Sequence, residues 1–211
     1  MKYDCPSCGA PIQFTSALSL YCVCNSCLSQ VFRTENEIEL IGKQASLPDD
    51  VSPLQLFSEG EFNGKSFKII GRCKLQWDAG SWNEWYISFS DGSTAWLAEA
   101  QGKWILTFEQ NDVVVPDQKD VELDNEYILN SVSFIYTDLK HATSYGFEGE
   151  LPFKTVQGEK RFSVDLTSNQ SKKFLSFEYD TSDSRAYLGQ YVTLSQLKMK
   201  NMREFDGWKT N

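Results

Sequence analysis

The 211-residue chain can hold one large domain or roughly two to three small ones, and with 41% hydrophobic residues it has enough apolar surface for a packed core. Its formal charge is -9 and no basic cluster offsets it, which argues against binding to the phosphate backbone of a nucleic acid. No apolar signal segment follows Lys2, and no apolar run is long enough to span a bilayer, so we expect a cytoplasmic protein.

The N-terminal cysteines have the spacing of a metal site. Cys5 and Cys8 form one C-x-x-C pair, Cys24 and Cys27 form a second, and fifteen residues separate the pairs. This is the pattern of a four-cysteine zinc ribbon, in which each pair turns back so that both sulfurs reach one tetrahedral ion. Because four thiolates leave no open position for water, we predict a structural rather than a catalytic Zn²⁺.

A fifth cysteine, Cys22, is predicted to lie beside this site without binding the metal. Cys22 and Cys24 are spaced as C-x-C, which cannot make the tight turn of a metal knuckle. On a strand the two side chains would point to the same face, since side chains alternate with a period of two. Exchange of Cys22 for Cys24 as a ligand is the alternative to this assignment.

Behind the cysteines, the alternation of apolar and polar residues predicts antiparallel β structure, with Asp91 and Gly92 as a tight hairpin turn. The predicted class is mostly β, a zinc ribbon followed by antiparallel meander modules that form a duplicated small barrel or a sandwich. One short C-terminal helix is expected after Thr193, with Leu194 and Leu197 on one face. In chain order, the predicted parts are the zinc ribbon (1–45), a linker (46–54), a first β module (55–115), a connector (116–126), and a second β module with the short helix (127–211).

The first candidate binding site is a cluster of aromatic and acidic residues in the first β module. Aromatic faces and carboxylates together attract ammonium groups, so the cluster suits a polyamine or a basic peptide segment. The alternative is that strand alternation places most of these aromatic side chains in the core. The candidate ligand- or partner-binding residues are Trp82, Glu84, Tyr86, Trp96 and Glu99.

The second candidate site consists of carboxylates in the second module. If their strands are neighbours, Glu150, Asp165 and Asp180 could converge at one end of the sheet, and paired carboxylates can serve as acid and base in a glycosidase. The alternative is that they are solvated strand ends and turn residues. The lone His141 lies in a polar segment and no nucleophile-elbow sequence is present, so we assign no catalytic residue.

The first module contains the segment GRCKLQWDAGSWNEWYISFSDGSTAWLAEAQGKW, which resembles the bacterial domain-of-unknown-function family 4178 (DUF4178). The shared pattern includes a W-x-E-W-Y strand, an F-x-D-G hairpin and a W-L-x-E strand. The later segments FEGELPF, FEYD and YLGQYV resemble further motifs of the same family, and a preceding four-cysteine ribbon is similar to many members. The resemblance spans about residues 55–205 and implies an accessory protein, since the family has no established activity.

From these features we expect a non-enzymatic bacterial accessory or scaffold protein whose β domain binds a protein partner, either soluble or membrane-associated. Two alternatives stay open. One is a glycosidase-like hydrolase that uses Glu150 and Asp165, and the other is a sensor or binder of polyamines or other small cations. A concave pocket with converging carboxylates would favour the hydrolase, a flat exposed apolar patch the protein partner, and an acidic pocket walled by tryptophans the cation.

Overall fold

The computed structural model describes residues 2–35, 37–43, 47, 50–180 and 183–205. The predicted mostly β class is confirmed, and every strand pairing in these segments is antiparallel. None of these segments forms a helix long and apolar enough to cross a membrane. The strands are β1 (Lys2–Asp4), β2 (Pro11–Gln13), β3 (Tyr21–Val23), β4 (Ser29–Arg33), β5 (Ile38–Lys43), β6 (Glu59–Phe62), β7 (Lys65–Trp77), β8 (Gly80–Phe89), β9 (Thr94–Ala100), β10 (Lys103–Glu109), β11 (Glu126–Leu129), β12 (Val132–Leu151), β13 (Lys160–Thr167), β14 (Lys173–Tyr179) and β15 (Ser184–Val192), with one 3-10 turn at Gln118–Asp120.

Eight of the strands pair in a closed cycle and form an antiparallel barrel. The order around the cycle is β7, β8, β9, β10, β15, β14, β13 and β12, and β12 pairs again with β7. Four of these strands come from the predicted first module and four from the second, so both modules build one sheet. A barrel of eight strands is just wide enough for its inward side chains to fill it or to enclose one small ligand.

The seam between β7 and β12 depends on glycine. Gly71 and Gly149 face each other across it. A Cβ atom at position 71 would overlap the carbonyl oxygen of Glu150, and Gly149 has a φ of +70°, a conformation that side chains oppose. Glycine at both positions therefore lets the two backbones approach closely enough to close the barrel.

The apolar faces of the barrel strands point outward, under covering segments. On β8, Trp85 and Ile87 are fully buried in an outer cluster that Leu54 and Leu197 cover. A second outer cluster contains the apolar residues of β13 and β14. It is covered by residues of the 110–131 segment, namely Val113, Val115, Val121, Tyr127 and Leu129. The opposite faces of the same strands, which carry many polar residues, are left to line the interior.

The ribbon is joined to the barrel by a shared strand. Strand β12 pairs with β13 through residues 135–143, with β7 through residues 143–149, and with β3 through Glu150 and Leu151. Strands β3, β4 and β5 continue from there as the ribbon sheet, while β1 and β2 form a separate hairpin. The ribbon sheet is therefore an extension of the barrel sheet.

The predicted C-terminal helix does not form. Thr193 Oγ1 accepts the N–H of Gln196 as a cap would, but the chain then turns away, and Lys198 has a left-handed φ of +49°. The segment instead buries Leu197 in the outer cluster that contains Trp85 and Ile87. Lys200 forms an isolated antiparallel β-bridge with Glu59. Packing of these residues against the barrel therefore replaces the local helix, while the end of the predicted second module at 206–211 lies outside the described residues.

Candidate functional site

The four predicted metal ligands lie together. The Sγ atoms of Cys5, Cys8, Cys24 and Cys27 are all within 4.8 Å of one another. The Sγ atoms of Cys5 and Cys27 are 3.7 Å apart, and those of Cys8 and Cys24 are 3.8 Å apart. A tetrahedron with metal–sulfur bonds of about 2.3 Å has sulfur–sulfur edges of about 3.8 Å. The spacing fits a tetrahedral ion and is far too long for disulfides.

The two knuckles are built in the same way. The N–H of Gly9 donates to the carbonyl of Cys5, and the N–H of Leu28 donates to the carbonyl of Cys24, each at 2.9 Å. Both turns need a left-handed residue after the second cysteine, and φ is +73° at Gly9 and +59° at Leu28. Glycine adopts this conformation freely, whereas Leu28 adopts it at an energetic cost and packs beside the barrel cluster that contains Val23.

Cys22 lies outside this group of sulfurs. Its side chain is buried on β3, and its Sγ atom is 3.5 Å from the carbonyl oxygen of Val23. Burial raises the pKa of the Cys22 thiol to about 12, with the charge of Glu150 adding to the effect. Its Sγ atom is not among the four that lie within 4.8 Å of one another, so Cys22 is a neighbour of the cysteine cluster and not part of it.

A cavity of about 600 Å³ lies in the barrel, within the usual size range of small-molecule sites. Its wall combines aromatic rings with carboxylates, together with one lysine at the start of β10 and one within β12. The aromatic lining residues are Trp77, Trp82, Trp96, Phe153, Phe174, Tyr187 and Tyr191, and the charged ones are Glu84, Lys103, Asp138, Lys140, Asp165 and Glu178.

Two carboxylates of the cavity wall lie near Arg161, which lines a small neighbouring pocket together with Glu178, and we call Glu84, Glu178 and Arg161 the Arg161 centre. Arg161 Nη1 is 3.2 Å from Glu178 Oε2 and 3.9 Å from Glu84 Oε2, with side-chain exposures of 7%, 15% and 14% for Arg161, Glu178 and Glu84. Trp82 Nε1 donates to Glu84 Oε1 at 3.0 Å. Burial raises the pKa of Glu84 to about 8, and the charge of Glu178 acts in the same direction. Two carboxylates therefore share one guanidinium in a poorly hydrated place.

A second group surrounds Lys140, and we call Asp138, Asp165 and Lys140 the Lys140 centre. Lys140 pairs with Asp138 and places its Nζ atom 5.3 Å from the centroid of the Trp77 ring. Asp165 pairs with Asp138 across β13 and β12, and its Oδ1 atom accepts from Ser176 Oγ at 3.2 Å. Burial raises the pKa of Asp165 to about 6 against the opposing charge of Lys140. Here too, two carboxylates share one cation.

Of the predicted aromatic and acidic cluster, Trp82, Glu84 and Trp96 reach the cavity wall. Tyr86 is buried behind it, with its ring centroid 4.9 Å from that of Trp96. Glu99 lies on the outer face, where its Oε2 atom accepts from Asn83 Nδ2 at 3.1 Å and from Trp85 Nε1 at 3.0 Å. Alternation along β9 turns Glu99 to the face opposite Trp96, whereas Tyr86 shares the inner face of β8 with Trp82 and Glu84.

The carboxylates Glu150, Asp165 and Asp180 do not converge. Only Asp165 lines the cavity. Glu150 lies at the far end of β12, where its carboxylate accepts from the backbone N–H of Thr15 at 2.7 Å and of Ser16 at 3.2 Å. Asp180 follows β14, 3.8 Å from Arg185 Nη1. The long β12 strand places Glu150 in the ribbon contact and Asp138, the partner of Asp165, near its beginning.

Replacing Glu150 by Gln is expected to loosen the ribbon from the barrel. The buried carboxylate satisfies two amide groups, and hydrogen bonds to a charged group contribute about 1.5–3 kcal/mol each. We expect lower stability and faster hydrogen exchange at the Thr15 and Ser16 amides, measured by mass spectrometry. The control is Glu148→Gln, because Glu148 pairs with Arg72 and not with the ribbon. Unchanged exchange in Glu150→Gln would contradict this role.

Several cavity residues were not among the predicted site residues, including Trp77, Lys140 and Tyr187. A signal for part of this set was present in the alternation. On β13 and β14, Ser163, Asp165, Ser176 and Glu178 alternate with Val164, Leu166, Leu175 and Phe177. This pattern separates the two faces of each strand, but only the closure of the barrel decides that the polar face is the inner one.

One comparison with known proteins gives a match. The model of the family described as "Domain of unknown function (DUF4178)" matches residues 57–194, which include all eight barrel strands. No curated protein and no solved structure matches the chain. The matched segment covers well over half of the sequence and excludes the four-cysteine cluster, which precedes it. The chain therefore belongs to the DUF4178 family.

Proposed function

We propose that the barrel cavity binds a small organic cation, polyamines among them, and that the protein acts by binding rather than by catalysis. The observation that supports this most is the composition of the wall, in which Trp77, Trp82 and Trp96 stand beside four carboxylates. Aromatic faces attract ammonium groups, most strongly where water is excluded. The wall carries four carboxylates and two lysines, and Arg161 pairs with two of the carboxylates. When all seven groups are ionised, their net charge is negative.

The same geometry argues against a docking surface for a protein partner at the predicted aromatic and acidic residues of β8 and β9. Trp96 and Tyr86 are buried, and Trp82 and Glu84 face the cavity. A single lysine or arginine side chain of a basic peptide could enter, but a folded partner would have to bind elsewhere. The expected protein partner, soluble or membrane-associated, stays a prediction of the sequence. A hydrolase using Glu150 and Asp165 is not favoured, because Glu150 is bound to the ribbon.

For the cysteine cluster we propose a structural Zn²⁺. Four thiolates at these separations match the ligand type and size of a tetrahedral zinc site, and they fill its coordination sphere. The ribbon cluster of apolar residues is small, which fits a fold that needs a metal to be stable. A cytoplasmic location, where thiols stay reduced, fits this assignment.

The test is a titration with spermidine followed by tryptophan fluorescence, since three tryptophans line the cavity. At about pH 8.5, where the Glu84 carboxyl with its pKa of about 8 is mostly ionised, Glu84→Gln keeps the size of the side chain and removes a cavity charge, so we expect at least a tenfold loss of affinity. Glu99→Gln is the matched control, because Glu99 also accepts from a tryptophan but lies on the outer face. The neutral 1,8-octanediol should not compete. Equal effects of the two substitutions, or equal binding of the diol, would refute the proposal.

A further inference from the structure

We infer that the cavity selects a ligand with two positive groups, one bound at the Arg161 centre and one at the Lys140 centre. This inference rests on the proposed function and specifies its ligand class. A monocation would leave one of the two centres without a counter-charge, whereas a dication would satisfy both.

The charges of the two centres are equal. The Arg161 centre combines Glu84 and Glu178 with one guanidinium, which leaves one excess negative charge when the carboxylates are ionised. The Lys140 centre combines Asp138 and Asp165 with one ammonium group, which leaves the same excess. Lys103, the other lysine of the lining, is exposed and belongs to neither centre, so the net charge of -1 for the whole lining with Arg161 includes it. Each centre by itself therefore matches a single ammonium group of a ligand.

Strand register gives the spacing between one carboxylate of each centre. Across β13 and β14, Glu178 pairs with Ser163 and Ser176 pairs with Asp165. Residues 163 and 165 are neighbours on the same face of β13, and both line the cavity. Two residues of antiparallel strand advance about 7 Å. Glu178 and Asp165, one carboxylate from each centre, are therefore about one such step apart along the wall.

This spacing indicates the length of the ligand. An extended α,ω-diamine with four or five methylene groups separates its nitrogens by about 6–8 Å. Its apolar chain would lie against the aromatic lining, where Trp82 donates to Glu84 and Trp77 is beside Lys140. The ligand class is therefore a short primary diamine, or a longer polyamine that contains this segment.

The experiment compares diamines of three to eight methylene groups with pentylamine and 5-aminopentanol on the full-length protein. We expect an affinity optimum at four or five methylene groups, at least tenfold above pentylamine. Calorimetry at about pH 5.5 in two buffers of different ionisation enthalpy should show more protons released by the diamine, because at that pH the raised pKa values of Glu84, about 8, and Asp165, about 6, keep a proton on one carboxyl of each centre.

Single-centre variants complete the test. Asp165→Asn, which keeps the size of the side chain, should reduce diamine affinity to that of pentylamine while pentylamine still binds. Glu178→Gln serves as the second variant if the first does not fold. Equal affinity for pentylamine and 1,5-diaminopentane, or affinity that simply rises with chain length, would overturn the two-centre inference alone. Failure of every amine to bind would refute the proposed function together with this inference.

Discussion

Removal of the proposed Zn²⁺ is expected to unfold the ribbon and to weaken ligand binding in a cavity that no cysteine lines. The ribbon has a small apolar cluster of its own, with Ile12, Phe14 and Val31 beside the cysteines. A domain of this size depends on the metal for its stability, and structural zinc contributes about 10–16 kcal/mol to the folding of zinc-finger peptides. Loss of the metal should therefore cost more stability than any single substitution proposed above.

The effect should reach the cavity through the residues next to the ligands. Val23 precedes Cys24 and is buried in one cluster with Trp96 and Tyr187, which both line the cavity. Leu28 follows Cys27 and packs against the same cluster, as does Phe153 of the lining. If the knuckles open, these contacts are lost, and the cavity wall becomes less ordered.

Native mass spectrometry and amide exchange together measure this result. Cys24→Ser should lose the metal, while Cys22→Ser, the matched control, should keep a single ion per chain. Hydrogen exchange should rise in the ribbon and around Trp96, and spermidine affinity should fall in Cys24→Ser. Metal loss in Cys22→Ser would show that the ligand set is different. Unchanged exchange around Trp96 in the metal-free protein would refute the coupling.

Glu84→Gln is expected to stabilise the protein at alkaline pH while it weakens ligand binding. The folded-state pKa of Glu84 is raised to about 8, above that of an exposed glutamate near 4.3. Between these values the folded state binds more protons than the unfolded state, so this group makes stability fall as pH rises, by at most about 1.4 kcal/mol per pH unit. Gln carries no charge and removes this loss, while Glu178 still pairs with Arg161 at 3.2 Å.

Urea unfolding at pH 5, 7 and 8.5 measures the difference between the wild type and the variant. We expect Glu84→Gln to be more stable by roughly 2–3 kcal/mol at pH 8.5 and by much less at pH 5, where the wild-type carboxyl is protonated. Glu99→Gln should not show this pH dependence, because Glu99 lies outside the cavity. A Glu84→Gln protein that is less stable at every pH would contradict the raised pKa. The expected result would mean that the wild type keeps a destabilising charge for binding.

Local sequence signals predicted the parts of the protein that local chemistry determines. The C-x-x-C spacing identified the four clustered cysteines, and the alternation of β8 placed Trp85 and Ile87 on an apolar face. The motifs of the first module pointed to the correct family. These features depend on residues close together in the chain, for which spacing and period are sufficient.

The features that the sequence patterns did not predict depend on residues far apart in the chain. The side of a strand that faces the cavity is decided by barrel closure between β7 and β12, which no local pattern reports. The contact of Glu150 with Thr15 and Ser16 joins segments more than a hundred residues apart. The helix expected after Thr193 gave way to tertiary packing of Leu197, which outweighed a weak local preference.

The shared strand β12 also determines the order of events during synthesis. The cysteines leave the ribosome before β12, so the nascent ribbon can load the proposed Zn²⁺ before residues 150–151 of its neighbouring strand exist. At about 5–20 residues per second, that interval lasts several seconds or more, and the edge of β3 and the amides of Thr15 and Ser16 have no partner on β12 during it. Barrel closure then requires β12 to find β7 and β15 to find β10, pairings of large sequence separation that form slowly. Metal loading before barrel closure is therefore the expected order for a newly made chain.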